Sequence, residues 1–352
     1  MAHRILVVAP AWVGDSVMAH PLYQRIKQYQ PDAHLTVIAP DWTLPLLDRM
    51  PEVDATLRNP FGHGALKLGE RYKLGRQLRG QFDQVIVLPN SLKSALVPWF
   101  ARIPQRTGFV GEGRYGLLND FRVLDRKALP QMVERFTVLA EVDGAALPRP
   151  IPAPKLHIDP ASRQAALQAL GLSDAQPVVA FCPGAEYGPA KRWPARHFTE
   201  LARRLVSQGY AVWLFGSAKD KPDTSAIAEQ AGVPMVDLAG RTSLAQAIDL
   251  LSIAHLVVTN DSGLMHVAAA LERPIVALYG SSSPEFTPPL SKQAEIVTLD
   301  LECSPCFERQ CPLKHLDCLQ KLEPDLVEAA MARVLTKPPG TPASPYIPVL
   351  PV

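Results

Sequence analysis

Ten residues, Val257-Val258-Thr259-Asn260-Asp261-Ser262-Gly263-Leu264-Met265-His266, carry the strongest chemical signal in the chain. An apolar strand runs into a short polar turn that opens a helix. Free N–H groups at a helix N-terminus, the positive end of its dipole and the Ser262 hydroxyl would together receive a diphosphate, and Gly263 lets the backbone come close. Asp261 and Leu264 flank that turn, and His266 falls one turn into the helix, facing the same ligand. The plain alternative is an N-capped helix, since Asp and Ser are ordinary caps, and His266 then is a satisfied structural histidine. A second loop bears on the choice. Cys182-Pro183-Gly184-Ala185-Glu186-Tyr187-Gly188-Pro189-Ala190-Lys191-Arg192-Trp193-Pro194 also follows an apolar run, Val178–Phe181. It adds Lys191 and Arg192, a mobile point charge and a fork, both able to neutralise phosphate. Two such loops in one half of the chain point to a single nucleotide site.

Three further groups of residues have chemical potential. Asp15, in Pro10-Ala11-Trp12-Val13-Gly14-Asp15-Ser16, lies just past the first apolar run, where partial burial would suit it to general-base work; a helix cap is the competing reading. The three-glycine dinucleotide fingerprint is absent from that loop. Between Arg58 and Arg79 stand Arg58, Lys67, Arg71, Lys73, Arg76 and Arg79 against Glu70 alone. That run is either a solvated helical face or a patch for a polyanion, and with Phe61 and Tyr72 its only stacking aromatics it does not suit nucleic acid. Four of five cysteines, Cys303, Cys306, Cys311 and Cys318, crowd one short segment. A structural metal, reduced thiols and redox-dependent bridges all fit the crowding, but the spacing matches no standard zinc knuckle, and metal is left outside the active site.

The elements that must position these groups alternate. Strands are expected at Ile5–Ala9, Leu35–Ala39 and Val85–Leu88, with a helix over Ser16–Gln28. Further strands are expected at Val178–Phe181, Ala211–Phe215, Met235–Leu238, Leu256–Thr259, Ile275–Tyr279 and Glu295–Leu299. Helices Ala195–Gln208, Asp223–Ala231, Leu244–Ile253 and Gly263–Leu271 fall between them. This is an α/β pattern with parallel sheets. At 352 residues, 47% hydrophobic and 20% charged, the chain has material for two cored domains. Residues 1–150 hold 19 Lys and Arg against 14 Asp and Glu, whereas the remainder is mildly acidic, so the first half is the basic one. Five prolines in Leu147–Pro160 mark a linker, taken as 151–160, between domains 1–150 and 161–336; residues 337–352 form a Pro-rich tail. No signal peptide or membrane-spanning run is apparent, so a cytoplasmic location is expected.

Taken together, Gly14-Asp15 with Pro21, Pro183-Gly184-Ala185 with Lys191-Arg192-Trp193-Pro194, Gly216-Ser217-Ala218-Lys219-Asp220, Leu238-Ala239-Gly240-Arg241-Thr242-Ser243-Leu244 and Asn260-Asp261-Ser262-Gly263-Leu264-Met265-His266 resemble the ADP-heptose:lipopolysaccharide heptosyltransferase family. The resemblance runs from about Arg4 to Leu335. It implies a GT-B glycosyltransferase fold, two Rossmann-like domains facing a central cleft, with the acceptor on the N-terminal domain and the nucleotide sugar on the C-terminal one. The implied reaction is an inverting transfer from ADP-L-glycero-β-D-manno-heptose to the first heptose of the lipopolysaccharide inner core, Kdo being the alternative acceptor. A two-lobed binding protein without turnover is the rival outside the family. Asp15 matches the family's base. Ala185, Glu186, Lys191, Gly216, Ser217, Asp261, Ser262, Gly263, Leu264 and His266 are carried over as donor-binding residues. Arg58, His63, Arg71 and Arg79 are the candidates for an anionic, lipid-anchored acceptor, and the same basic run would touch the inner-membrane surface. No cofactor or metal is expected, because Asp261 is followed by Ser-Gly and an Asp-x-Asp metal pair is absent.

Overall fold

The run Ile5-Leu6-Val7-Val8 has no polar alternation, so it can be a strand only where both faces of a sheet are covered. That is where a computed structural model, describing residues 2–62 and 64–337, puts it. The chain forms two compact units that divide between Pro154 and Lys155. In the first, β1 (Arg4–Val8), β2 (His34–Ala39), β3 (Ala55–Arg58), β4 (Gln84–Val87), β5 (Gln105–Phe109) and β6 (Asp120–Arg122) make a parallel sheet in the order β3-β2-β1-β4-β5-β6. The second sheet contains β7 (Val178–Cys182), β8 (Ala211–Leu214), β9 (Val236–Asp237), β10 (Leu256–Asn260), β11 (Ile275–Leu278) and β12 (Ala294–Val297), ordered β12-β11-β10-β7-β8-β9. Each sheet is the doubly wound arrangement in which the chain starts at the centre and winds out both ways.

The central strands coincide with the expected ones because their apolar runs are uninterrupted. β3, β5 and β6 were not expected from sequence: Ala-Thr-Leu-Arg and Asp-Phe-Arg are partly exposed, and Gln-Arg-Thr-Gly-Phe buries only its last three residues. The expected helix over Ser16–Gln28 is instead two, Val13–Met18 and His20–Tyr29, meeting at Ala19. Pro21 explains the break, since it has no N–H to continue the ladder yet suits the first turn of a new helix. Helix Leu244–Leu251 has a reciprocal cap, in which Ser243 Oγ accepts from Gln246 N and the Gln246 side chain accepts from Ser243 N. A final helix, Pro324–Thr336, closes the second core, and Trp193 donates its indole N–H to the Leu322 carbonyl at 2.7 Å beside it. Of the expected tail only Lys337 is described, and it pairs with Glu295; residues 338–352 lie outside the described residues.

The basic run is not one solvated patch. Helix Leu68–Gln77 does expose Lys73 and Arg76, but Arg71 is only 5% exposed. Its guanidinium donates to the carbonyls of Leu66 (2.6 Å), Ala65 (3.2 Å) and Lys93 (3.1 Å) and lies 4.0 Å from the centre of the Phe61 ring. A buried arginine satisfied by carbonyls ties two loops together rather than waiting for a polyanion. Arg79 donates to the Phe100 carbonyl, and Arg58 pairs with Asp41 at 2.6 Å. Arg71→Ala should therefore cost at least about 3 kcal/mol of stability, from several charge-assisted bonds lost at once. Denaturant unfolding checks this, and a variant as stable as the parent would show that the carbonyls find other donors.

Candidate functional site

In a doubly wound sheet, the loops after the two strands at the reversal point diverge and leave a crevice at their carboxyl ends. In the second unit those strands are β7 and β10. Their loops are the two that the sequence singled out. Asn260, fully buried at the end of β10, joins them: its Nδ2 donates to the Pro183 carbonyl at 2.6 Å and its Oδ1 accepts from Trp193 N at 3.1 Å. Two residues of the bound loops then meet directly, Lys191 Nζ lying 2.5 Å from Asp261 Oδ2. Lys191 is also 5.0 Å from the centre of the Tyr187 ring, and Arg309 is 5.2 Å from the same ring.

Helix Gly263–Ala270 opens at this point. Ser262 is extended, with φ −146°, and its hydroxyl makes no cap to the helix backbone; its recorded neighbour is Thr259 Oγ1 at 3.5 Å. The first-turn N–H groups are therefore not answered by the ordinary cap, which is what an anion site at a helix N-terminus requires. Leu264 is half-buried beside Ser262 and Gly263. His266 is 4% exposed, and burial lowers its pKa to about 4, with Lys191 acting in the same sense and Asp261 against it. Its imidazole is neutral at pH 7, able to offer one donor and one acceptor but a poor proton acceptor.

The neighbouring loop after β8 is built around Asp220. Ser217 spends both its N–H (2.9 Å) and its hydroxyl (2.8 Å) on Asp220 Oδ2, so it shapes the loop. A Cβ on Gly184 would come within 2.6 Å of the same carboxylate, and one on Gly216 within 2.8 Å of Asp220 Cβ, so neither loop tolerates a side chain there. Ala185 is buried, whereas Glu186 is exposed and pairs with Lys219. Arg192 is engaged by Asp223 and Asp220.

Sequence reasoning missed the loop after β11. The hydroxyls of Ser281 and Ser282 are buried without a partner among the described residues. Parallel pairing sets Asn260 opposite Leu278, so this loop leaves the sheet next to the one that opens helix Gly263–Ala270. The cysteine-rich segment is bonded to this loop and to the loop after β7. Phe307 N donates to the Ser281 carbonyl, Ser304 Oγ to the Gly280 carbonyl, Tyr187 OH to the Phe307 carbonyl and Ala190 N to the Arg309 carbonyl. Cys303, Cys306, Cys311 and Cys318 line one cavity of about 20 Å³ with Ala190 and Ser281, and all are free thiols. Burial, then the neighbouring cysteines, pushes the Cys318 thiol up to about 11. No group of three or more His, Cys, Asp or Glu among the described residues is arranged to hold a metal ion. The segment braces the Lys191 loop.

In the first unit the reversal lies between β1 and β4, and a cavity of about 330 Å³ opens there. Asp15, third residue of helix Val13–Met18, is in its wall and half-buried, with a carboxylate placed in the favourable first turn. The β1 loop is held by Ser16 Oγ to the Pro10 carbonyl and by the Trp42 indole N–H to the Ala11 carbonyl at 2.8 Å. The β4 loop is held by Arg114, 1% exposed, which bonds Pro89 O, Ser91 O, Ser94 Oγ, Asn90 Oδ1 and Phe109 O. Of the four acceptor candidates, Arg71 lines this cavity with its guanidinium already engaged; Arg58 and Arg79 do not line it, and His63 lies outside the described residues.

Comparison with known proteins gives the family and the fold. The sequence profile of glycosyltransferase family 9 (heptosyltransferase) matches residues 71–317. Lipopolysaccharide heptosyltransferase 2 of Salmonella typhimurium is 51% identical over 306 residues, covering 84% of this chain and 88% of the relative. Lipooligosaccharide heptosyltransferase 2 of Haemophilus influenzae is 50% identical over 307 residues, with the same coverage. The solved structure of E. coli ADP-heptose LPS heptosyltransferase II superposes with a TM-score of 0.85 at 46% identity, covering 94% of this chain and 98% of that one.

Lys191→Ala should weaken ADP binding ten- to a hundredfold, since it removes a cation from the crevice and leaves the buried Asp261 carboxylate without its partner. Adding Asp261→Asn should restore stability but not full affinity; calorimetry with unchanged ADP affinity in Lys191→Ala would remove the lysine from the site. His266 gives a pH test. Its folded pKa, about 4, lies below the ordinary 6.5, so the unfolded chain binds the proton first and stability falls as pH drops from 6.5 towards 4. Between pH 7 and 5 the protein should lose about 2 kcal/mol more than its His266→Gln variant. Parallel losses in the two proteins would mean that the imidazole takes up its proton while folded.

Proposed function

The chain belongs to glycosyltransferase family 9, the heptosyltransferases, and on that premise we propose that it adds the second heptose of the lipopolysaccharide inner core. It is a glycosyltransferase of GT-B fold. The donor is ADP-L-glycero-β-D-manno-heptose and the acceptor the first, lipid-anchored heptose. Half the residues shared with two relatives named heptosyltransferase 2, over most of each chain, favour this acceptor over Kdo.

The single observation that carries the chemistry is the uncapped helix N-terminus at Ser262-Gly263 beside Lys191. As the anomeric C–O bond breaks, charge grows on the departing diphosphate, and a fixed dipole and a cation stabilise that charge more than the ground state. Asp261 and neutral His266 would meet sugar hydroxyls, and the loops after β7 and β8 would hold the nucleotide through backbone. On the other unit, Asp15 takes the proton from the acceptor hydroxyl while its oxygen attacks the anomeric carbon from the face opposite ADP. One displacement without a covalent intermediate inverts the configuration.

The acceptor is anionic and held in a bilayer, whereas no helix among the described residues is long and apolar enough to cross a membrane. We assign contact with the cytoplasmic face of the inner membrane to the exposed Lys73 and Arg76, whose attraction for anionic lipid weakens with salt.

Mass-detected heptose transfer should occur on an acceptor carrying the first heptose and not on one ending in Kdo; the reverse preference would reassign the enzyme. Asp15→Asn should lower kcat by about 10²- to 10⁴-fold while leaving ADP affinity intact. Near-normal turnover in that variant would exclude Asp15 as the base.

A further inference from the structure

The cysteine-rich segment has an inside made of thiols. From Leu301 to Leu316 it contains no helix or strand, and its apolar side chains Phe307 and Leu313 are 49% and 58% exposed. Cys303, Cys306 and Cys311 are half-buried, Cys318 is buried, and all four line one cavity of about 20 Å³, room for roughly one water. The Ser281 hydroxyl, buried without a partner among the described residues, lines it too, as does Ala190, the residue before Lys191. The two carbonyls that hold the Lys191 loop, those of Phe307 and Arg309, belong to the four residues between Cys306 and Cys311. That stretch has no slack. Phe307 adopts φ 58°, in the left-handed region that a bulky side chain avoids, and its N–H is pinned on the Ser281 carbonyl. Gly188 lies so close that a Cβ there would come within 2.5 Å of the Arg309 carbonyl oxygen. Tyr187, bonded to Phe307, in turn carries Lys191 Nζ 5.0 Å from its ring centre.

We infer that Cys306 and Cys311 are a reversible disulfide site, and that closing this bond turns the Phe307 and Arg309 carbonyls off the Lys191 loop and weakens its hold on a diphosphate. The last step rests on the proposed nucleotide site; the bond itself does not. Of the three half-buried thiols, this is the pair whose bond encloses both carbonyls. Hydrogen peroxide is the oxidant. The thiolate of one cysteine attacks the O–O bond and becomes a sulfenic acid as hydroxide leaves; the second sulfur then attacks that sulfur, forming the S–S bond and releasing water. Two thiols lose two electrons, the peroxide oxygens gain them, and the products are one disulfide and two waters. The bond draws the sulfurs to about 2 Å from each other, and only hydrogen bonds hold the four residues strung between them against that pull. Cys318, enclosed and with its thiol pushed up to about 11, is a poor thiolate and stays out of the exchange, as does Cys182, buried in β7.

The test compares the full chain, reduced, with the same protein after hydrogen peroxide, its peptides mapped by mass. Oxidation should remove two hydrogens and join the peptides bearing Cys306 and Cys311. Deuterium exchange at the Ala190 amide should then speed up about tenfold, and the Kd for ADP by calorimetry should rise about tenfold. Dithiothreitol should reverse all three changes. Cys306→Ser and Cys311→Ser should bind ADP within twofold of the reduced parent and show no response to peroxide in exchange or affinity. Should a serine variant fail to fold, the reduced and oxidised parent decide. Thiols that stay free or are consumed as sulfinic acid, a bond that maps to another pair, or a mapped bond that leaves ADP affinity within twofold would overturn the inference. A reduced parent that binds no ADP would instead sink the nucleotide reading, and exchange at Ala190 would then decide whether the bond releases the loop.

Discussion

A parallel sheet whose first strand lies at its centre must send the chain out to one edge, bring it back, and send it to the other. At the reversal, two adjacent strands end in loops that go opposite ways, and nothing in the sheet fills the gap. This constraint operates twice here. It gives one unit a crevice between the β1 and β4 loops and the other a crevice between the β7 and β10 loops. The chemistry-bearing residues follow from it: Asp15 and the aromatic cavity in one, Lys191, Asp261 and the open helix N-terminus in the other.

A crevice left by topology is useful only if its rims are stiff, and each unit stiffens them with one buried polar side chain. Asn260 links the β7 and β10 loops through a donor and an acceptor on a single amide. Arg114 gathers the β4 loop by donating to the Pro89, Ser91 and Phe109 carbonyls, and its burial lowers its pKa to about 10. Neither can be exchanged for an apolar residue of the same size without losing these ties between loops. The cysteine-rich segment does similar work for the Lys191 loop, through hydrogen bonds to its backbone carbonyls from Tyr187 OH and Ala190 N.

What could be read from sequence divides along physical lines. Interior strands such as Val178–Cys182 and Leu256–Asn260 show themselves because burial on both faces demands an unbroken apolar run. Edge strands such as Ala55–Arg58 face no such demand and pass as loop. The proposed diphosphate site was legible because Ser-Gly at a helix start and a nearby Lys are local patterns. The cavity walls were not, because Trp12, Trp42 and the loop bearing Asn90 and Lys93 are far apart in the chain and come together only when β1, β2 and β4 pair. Arg71 shows the opposite failure: counted as one charge in a run, it proved to be a buried tie whose partners, Leu66 and Lys93, are backbone carbonyls no charge count includes.

The contact between Lys191 and Asp261 has a consequence for the end of the catalytic cycle. A site with a bare lysine would grip a diphosphate tightly and be slow to give it up. Here the lysine has an internal partner to return to, so on the proposed reading an incoming diphosphate would compete with a carboxylate already in place, and a departing one would leave no unpaired cation behind. The carboxylate would then be a built-in competitor that tempers product inhibition, trading some grip on the substrate for faster clearance of the spent nucleotide.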